Sequence, residues 1–161
     1  NNFRYASFDV SIFFNFQTGN DVFNLNRYFL ESGGTRDVRR SLHANQLNRW
    51  QKAGDVTDVP RVTTLGNNYR LEQNSRFLED GSFLRLRSLS LGYSVPSSFI
   101  SRIGLSSARV YFQGTNLWLL KKYIDPDPEV NVAGDNQNVQ GLDLGTPPQP
   151  RMIELGISLV L

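Results

Sequence analysis

Residues that commonly do covalent chemistry are scarce in this chain. It has one histidine, His43, and no cysteine. A usual zinc site needs more ligands than a lone histidine, and no recognisable nucleophile–base pair or pair of acids accompanies it. We therefore interpret His43 as a solvated or loop-packing side chain. The glycines match neither a phosphate-binding loop nor a dinucleotide fingerprint, so the sequence predicts a protein that is not an enzyme and needs no cofactor.

An acidic segment, IDPDPEVNVAGDN, is the remaining candidate for metal binding. Asp125, Asp127 and Glu129 stand at alternate positions, and Asp135 follows. Oxygen ligands in an irregular loop can bind Ca²⁺. The alternative is that the two intervening prolines stiffen an extended loop whose carboxylates are solvated. No glycine stands where an EF-hand loop requires one, so we favour the extended loop and predict no metal.

The composition favours strands and long loops. Hydrophobic residues make up 39% of the 161 residues, and they include 11 Phe, 6 Tyr and 2 Trp but one Met; aromatic residues are enriched in strands. The 17 Lys and Arg nearly balance the 15 Asp and Glu, so there is no indication of a nucleic-acid partner. No apolar run approaches the ~20 residues of a transmembrane helix. The chain begins at Asn1, and we expect it to be part of a longer protein.

Four segments alternate apolar and polar residues with the period of a strand: FDVSIFFNFQ, FLRLRSLSLGY, ARVYFQGTNLW and RMIELGISLVL. They predict strands over about residues 5–18, 82–95, 107–120 and 151–161. Strands of about ten residues suit a bilayer, whereas strands of soluble proteins usually have about 5–6. The predicted connections are long, short and long, over about residues 21–77, 96–106 and 124–150. This asymmetry is typical of outer-membrane barrels.

The second segment contains a phase slip. Leu84 and Leu86 are even-numbered, whereas Leu89, Leu91 and Tyr93, beyond Arg87–Ser88, are odd-numbered. One extra residue in the strand would return all of them to a single face. The pattern therefore predicts a β-bulge at Arg87–Ser88.

The two faces of the predicted strands differ sharply. One carries almost only Phe, Leu, Ile and Val, while the other carries polar groups that include Arg85, Arg87, Arg109, Tyr111 and Gln113. On a soluble sheet the polar face would simply meet solvent. Lipid outside and a wet lumen inside a barrel require the same division. Since lipid leaves no backbone group unpaired, four strands cannot close alone, and further strands are expected outside this sequence.

The motifs FLEDGSFLRLRSLSLGYSVP and ARVYFQGTNLWLLKKYIDPDPEV, in this order, resemble the C-terminal end of the SusC/RagA family of TonB-dependent outer-membrane transporters. FDVSIFFNFQTGNDVFNLNRYFLES and RWQKAGDVTDVPR extend the resemblance over nearly the whole chain. It implies an all-β fold, namely the last four strands of a transmembrane antiparallel β-barrel of about 22 strands. It also implies the outer membrane of a Gram-negative bacterium and a plug domain that lies outside this sequence.

The resemblance further implies a function and partners. Family members import oligosaccharides or peptides together with a SusD-like surface lipoprotein, and TonB drives them through an N-terminal region that is absent here. Arg85, Arg87, Arg109, Tyr111 and Gln113 would then face the lumen. There they would contact the plug or the solute, or form a salt-bridged barrel wall.

The family arrangement also implies a membrane topology. The loops over 21–77 and 124–150 would be extracellular, and the turn over 96–106 periplasmic. Trp118 and Tyr123 would lie near the outer membrane interface and Tyr93 near the inner one, as aromatic girdles do. A second reading of the four strands is a soluble carbohydrate-binding β-sandwich or adhesin domain, which would bury the apolar face.

Overall fold

The protein is described by a computed structural model that covers residues 1–31, 41–62, 75–132 and 140–161. These residues form two compact units. Unit 1 comprises Asn1–Gly19, Ser82–Lys122 and Pro148–Leu161, and unit 2 comprises Asn20–Gly81 and Tyr123–Pro147. Strands predominate and helices are short, so the predicted all-β class is confirmed. Among the described helices, none is long and apolar enough to cross a membrane.

The strands of the described residues are β1 (Asn2–Tyr5), β2 (Phe8–Gln17), β3 (Asp21–Asn24), β4 (Leu78–Asp80), β5 (Phe83–Ser94), β6 (Ser107–Lys121), β7 (Leu142–Asp143) and β8 (Met152–Val160). Unit 1 holds a five-stranded sheet of order β1-β2-β5-β6-β8. All its neighbouring strands are antiparallel. Its four long strands coincide with the four alternating segments of the sequence.

The fifth strand, β1, differs from the sequence prediction. A single strand was expected from about residue 5, but the chain turns back at Ala6–Ser7, and Tyr5 pairs with Phe8 across this two-residue hairpin. Ala6 has a φ of 50°, a conformation that Asn or Gly usually supplies in such turns. Because neither residue of the turn carries that signal, the alternation pattern alone did not reveal the hairpin.

The predicted β-bulge is confirmed. Phe13 of β2 pairs with Ser88, and the next residue, Phe14, pairs with Leu86. Arg87 is therefore the extra residue of β5. As a result the apolar residues on both sides of the slip share the face that holds Phe14 and Phe16.

The irregular pairing at Arg87 also involves the next strand, β6. At the height of Arg87, β6 contributes two residues, Asn116 and Leu117. Asn116 has a φ of 52°, which Asn tolerates better than most residues. Its buried side chain donates from Nδ2 to the Pro150 carbonyl at 2.9 Å and accepts from Arg87 Nη1 at 3.5 Å. Asn116 thus joins the bulge to the segment that leads into β8.

The short connection between β5 and β6 is helical. Helix α2 (Ser97–Ile100) leads into a 3-10 turn over Ser101–Ile103. Gly104 ends it with a φ of 77°, a conformation that costs glycine little. This connection and the Ala6–Ser7 hairpin lie at the same end of the sheet, where Ser94 N donates to Ser7 O at 2.8 Å.

Unit 2 contains secondary structure within the two predicted long connections. A small sheet of order β4-β3-β7 pairs β3 antiparallel with β4 and parallel with β7. Helix α1 (Leu25–Leu30) directly follows β3, and the Asn24 side chain caps it by accepting from Arg27 N at 2.9 Å. The described part of unit 2 also contains 3-10 turns at Ala44–Asn48 and Ser75–Phe77. Val22, Tyr123 and Val130 form a buried cluster.

Asn116→Ala should loosen the bulge. The substitution removes the hydrogen bond to Pro150 and places alanine at a positive φ, which we expect to cost about 1–3 kcal/mol locally. Hydrogen–deuterium exchange of the full-length protein would show this as faster exchange in peptides that span residues 84–90 and 112–118.

Asn116→Gly is the matched control, since it tolerates the positive φ but lacks the side chain. Its exchange should lie between those of the wild type and Asn116→Ala. Equal exchange in all three proteins would show that Asn116 does not stabilise the bulge.

Candidate functional site

A row of polar and small residues crosses the sheet of unit 1 on the face opposite the apolar one. Asp9, Gly92, Tyr111 and Gly156 are paired in register on four adjacent strands. Arg109 Nη2 reaches Asp9 Oδ2 at 2.6 Å, and a methyl group on Gly92 would overlap both of these side chains. Glycine at position 92 therefore leaves the space through which an ion pair links β6 to β2. The pair is partly exposed, so its contribution to stability is small.

The same row ends in an aromatic–glycine contact. The ring of Tyr111 lies directly over Gly156, where a Cβ atom would collide with it. The ring covers the backbone of β8 and replaces the packing that glycine cannot supply. Gln113, two residues further along β6, is exposed and stands in register between Ser90 and Glu154.

Arg85 and Arg87 have different environments. Arg85 is only 2% exposed, and its guanidinium lies 5.7 Å from the centre of the Phe83 ring, within the range of a cation–π interaction. Arg87 is half-buried and is engaged by Asn116. Arg85 is therefore packed within the protein, whereas Arg87 remains partly accessible.

Two of the three aromatic residues expected at membrane interfaces are accessible. Tyr93 packs against Phe8 with ring centres 4.6 Å apart, and Trp118 is exposed beside Leu86. Tyr123 is 2% exposed and belongs to the buried cluster of unit 2, so its ring packs inside that unit.

Tyr123 also belongs to a polar network that holds unit 2 together. Its hydroxyl donates to Asp143 Oδ2 at 2.7 Å. Asn26 Nδ2 donates to Asp143 at 3.3 Å and to Asp125 at 3.1 Å, and Asn24 Nδ2 also donates to Asp125 at 3.1 Å. Burial raises the pKa of Tyr123, and the hydrogen bond to the Asp143 carboxylate raises it further. The hydroxyl therefore remains a donor throughout the physiological range.

A second part of this network is centred on Glu31. Arg27 binds it through Nε at 2.9 Å and Nη2 at 3.1 Å, and it binds Glu79 through Nη1 at 2.8 Å. Asn45 Nδ2 and Arg76 Nη2 also approach Glu31, at 2.7 and 3.3 Å. Burial opposes ionisation of Glu31, but the bonds from Arg27 and Asn45 outweigh it, so the pKa of Glu31 is lowered. The same carboxylates raise the pKa of Arg27.

Part of this network borders a pocket of about 510 Å³ within unit 2. The pocket is lined by amide, acidic, basic and apolar side chains, namely Asn26, Arg27, Leu30, Glu31, His43, Asn45, Asn48, Asp58, Val59, Ile124 and Asp125. Its volume falls in the range of small-molecule sites. The lining can exchange hydrogen bonds with a polar ligand, but it contains no arrangement for covalent chemistry. His43 is exposed and accepts from Asn45 N through Nδ1 at 3.3 Å.

The acidic segment is engaged in protein contacts where it is described. Asp125 accepts from Asn24 and Asn26, and Asp127 Oδ1 accepts from Glu129 N at 3.0 Å. Asp135 lies outside the described residues. Within residues 1–31, 41–62, 75–132 and 140–161, no three His, Cys, Asp or Glu side chains converge as metal ligands would.

Sequence reasoning missed most of the network in unit 2. Asn24 bonds Glu79 across 55 residues and Asp125 across 101, and Asn26 bonds Asp143 across 117. The stretch NLNRYFLE offered a local signal, because Asn24 is a good helix cap and Arg27 and Glu31 have the i, i+4 spacing of a helical ion pair. Hydrogen bonds between residues of the two long connections leave no such pattern in the local sequence.

The chain is similar in sequence to curated proteins from Formosa agariphila (strain DSM 15362 / KCTC 12365 / LMG 23005 / KMM 3901 / M-2Alg 35-1). Its identity is 34% with TonB-dependent receptor P3, 33% with TonB-dependent receptor P26 and 25% with TonB-dependent receptor P39. Each alignment covers 99% of the chain but only 15–16% of the relative. No family model matches the chain.

Solved structures of a transporter also resemble it. Against the structure of the RagAB peptide transporter the TM-score is 0.75 at 28% identity, over 95% of this chain and 16% of that one. Against the RagAB peptide importer in the open-open state the TM-score is 0.78 at 27% identity, over 98% and 16%.

Sequence and fold together show that the chain is similar, over almost its whole length, to one part of TonB-dependent receptors. Within that class its structural likeness to RagAB confirms the resemblance to the SusC/RagA family. The chain spans about a sixth of the length of the relatives it matches.

Gly156→Ala should disturb the polar face more than Gly92→Ala. At position 156 the new methyl group meets an aromatic ring, whereas at position 92 it meets the mobile ends of Arg109 and Asp9. We expect Gly156→Ala to destabilise the β6–β8 pairing by about 1–3 kcal/mol, measured by hydrogen exchange over residues 107–115 and 152–160 of the full-length receptor.

In a Tyr111→Ala background the Gly156→Ala substitution should cost much less, because the ring is gone. Additive effects in this double-mutant cycle would contradict a direct Tyr111–Gly156 contact.

The Glu31 network should weaken in acid. Because the folded-state pKa of Glu31 is lowered, its contribution to stability is complete above the unfolded pKa of about 4.3. This contribution is lost as the pH falls through the folded-state pKa of Glu31. Hydrogen exchange of residues 25–31 and 44–48, corrected for intrinsic rates, should therefore show a loss of protection on acidification.

Glu31→Gln should lower the protection from hydrogen exchange at neutral pH and reduce the further loss of protection on acidification. Glu154→Gln changes an exposed carboxylate and should leave that loss unchanged. If Glu31→Gln lost as much protection on acidification as the wild type, Glu31 would not be the origin of that loss.

Proposed function

We propose that this chain forms part of the barrel wall and of the extracellular loops of an outer-membrane TonB-dependent importer in a Gram-negative bacterium. The observation that carries this proposal is the exposed apolar face of the five-stranded sheet. On β8 alone, Leu155 is 78% exposed and Ile157 68% exposed. A soluble β-sandwich buries the corresponding face against a second sheet, whereas a barrel presents it to lipid.

The edges of the sheet support the same proposal. In the described part of the chain, β1 pairs only with β2, and β8 pairs only with β6. Open edges are not tolerated in the hydrocarbon region, so the neighbouring strands come from the rest of a longer receptor. A total of about 22 strands is the size expected for this class of barrel.

The polar face would then line the lumen. Arg87, Arg109, Tyr111 and Gln113 would meet the plug or the passing solute. Arg85, which is buried, would act by packing and charge. Tyr93 would lie near the periplasmic interface and Trp118 near the outer one, consistent with their positions at opposite ends of the apolar face.

Unit 2 arises from the two long connections, over 20–81 and 123–147. We infer that they are extracellular and contribute to the contact with a SusD-like surface lipoprotein. The RagAB structures are those of a peptide transporter, which favours peptides over oligosaccharides as the cargo. TonB would supply energy through a region of the receptor outside this chain.

Leu155→Arg and Glu154→Arg test the assignment of the two faces. The residues are adjacent on β8 and both are exposed, but only Leu155 is on the proposed lipid face. Arginine near the bilayer midplane costs about 2–4 kcal/mol, so Leu155→Arg should reduce the amount of folded, heat-modifiable full-length receptor in the outer membrane. Glu154→Arg should leave that amount close to wild type. Equal losses, or a larger loss for Glu154→Arg, would contradict the proposal.

Purification of the tagged full-length receptor in mild detergent tests the cargo and the partner. A surface lipoprotein should co-purify, and mass spectrometry of the released small molecules should detect peptides. Bound oligosaccharides without peptides would overturn the peptide cargo, and a receptor that purifies without any lipoprotein would overturn the partner.

A further inference from the structure

The short connection between β5 and β6 carries an exposed apolar surface that the transport function does not require. Phe99 is 69% exposed and Ile103 is 70% exposed, while Ile100 is 6% exposed. Phe99 and Ile103 are four residues apart in continuous helical structure, so they lie on one side of it. The exposed Arg102 is their neighbour on that side. We call Phe99, Arg102 and Ile103 the apolar tip.

The connection folds against the end of the sheet. Helix α2 contacts β6, and Leu105 N donates to Ile100 O at 3.2 Å. Ala108, which by register belongs to the apolar face together with Val110, is buried. The connection that carries the apolar tip therefore packs against β6.

The height of the tip relative to a membrane follows from strand geometry. Tyr93 is the last aromatic residue of the apolar face on β5, and Pro96 precedes α2. Three residues of extended chain span at most ~10 Å. If the hydrocarbon boundary lies at the Tyr93 ring, α2 falls within or just beyond the headgroup layer, since that layer is roughly 5–8 Å deep on each side of a bilayer.

A protein partner would need a larger surface. A stable protein interface buries ~800 Å² on each side, and two side chains with one arginine provide much less. Insertion into lipid has no such minimum area, because each apolar side chain gains from burial on its own. Arg102 matches the negative charge of phospholipid headgroups, and its aliphatic stem can remain among apolar groups.

We propose that the apolar tip is a membrane-interface anchor: Phe99 and Ile103 insert at the headgroup–acyl boundary of the periplasmic leaflet, and Arg102 binds a phospholipid phosphate. The anchor fixes the height of the β5–β6 hairpin in the bilayer. This inference rests on the proposed function, since it requires the sheet to be in a membrane.

Site-directed spin labelling of the full-length receptor in phosphatidylethanolamine–phosphatidylglycerol vesicles tests the anchor. This chain contains no cysteine, and any cysteine elsewhere in the receptor would be replaced by serine. Single labels at Phe99→Cys and Ile103→Cys should be several-fold more accessible to oxygen, relative to a water-soluble nickel chelate, than a label at Ser101→Cys. Ser101 lies on another side of the same short helix and is exposed.

A label at Leu155→Cys separates the two hypotheses. If Leu155 reports lipid while positions 99 and 103 report water, the anchor is refuted and the proposed function stands. If Leu155 itself reports water, the proposed function fails. Low accessibility to both reagents at positions 99 and 103 would indicate a protein cover and would also overturn the anchor.

A second measurement avoids labels. Phe99→Trp should show stronger fluorescence quenching by brominated phospholipids than Ser101→Trp does, after subtraction of the signal from native tryptophans. Equal quenching of the two variants would contradict insertion of the tip.

Discussion

Each long strand of unit 1 must keep its apolar side chains on one face over its whole length, and many features of the sheet satisfy this constraint. In β2 the apolar residues stay at even-numbered positions throughout, with Phe13 as the one addition to the other face, so that strand needs no bulge of its own. In β5 the even and odd positions exchange roles, and without the extra residue Arg87 one half of the strand would present its leucines to the polar side. A one-residue slip reverses the face of every later residue, so the bulge is what makes the sequence of β5 compatible with its neighbours.

The polar face is organised differently, by pairing large side chains with glycines. Arg109 crosses Gly92 to reach Asp9, and Tyr111 covers Gly156. A bulky residue at either glycine would force the long side chain away from the sheet, so small and large residues alternate between adjacent strands. This arrangement keeps the polar side chains flat against the sheet and links four strands through side chains as well as through the backbone.

The strands and the bulge could be predicted because both depend on local periodicity. The hairpin at Ala6–Ser7 could not, since its turn residues carry no signal for a positive φ. Tyr123 was assigned to an interface because it follows the aromatic end of β6, but its contact with Asp143 is made across a long connection that no local pattern describes. Asn116 was missed for a related reason, because its role depends on Arg87 and Pro150, which are distant in sequence. Alternation along a strand therefore predicts which face of the sheet a charged residue occupies, but it does not predict which side chain that residue contacts.

Unit 2 is built from two separate connections, and its polar network joins them at several points: Asn24 and Asn26 from the first bind Asp125 and Asp143 from the second. Neither connection has its complete set of partners until both have been synthesised and the intervening strands have formed. The two connections are therefore not free to diversify independently. An insertion or a change of charge in one removes partners from the other, so we expect their sequences to change together when a receptor of this type acquires a new specificity.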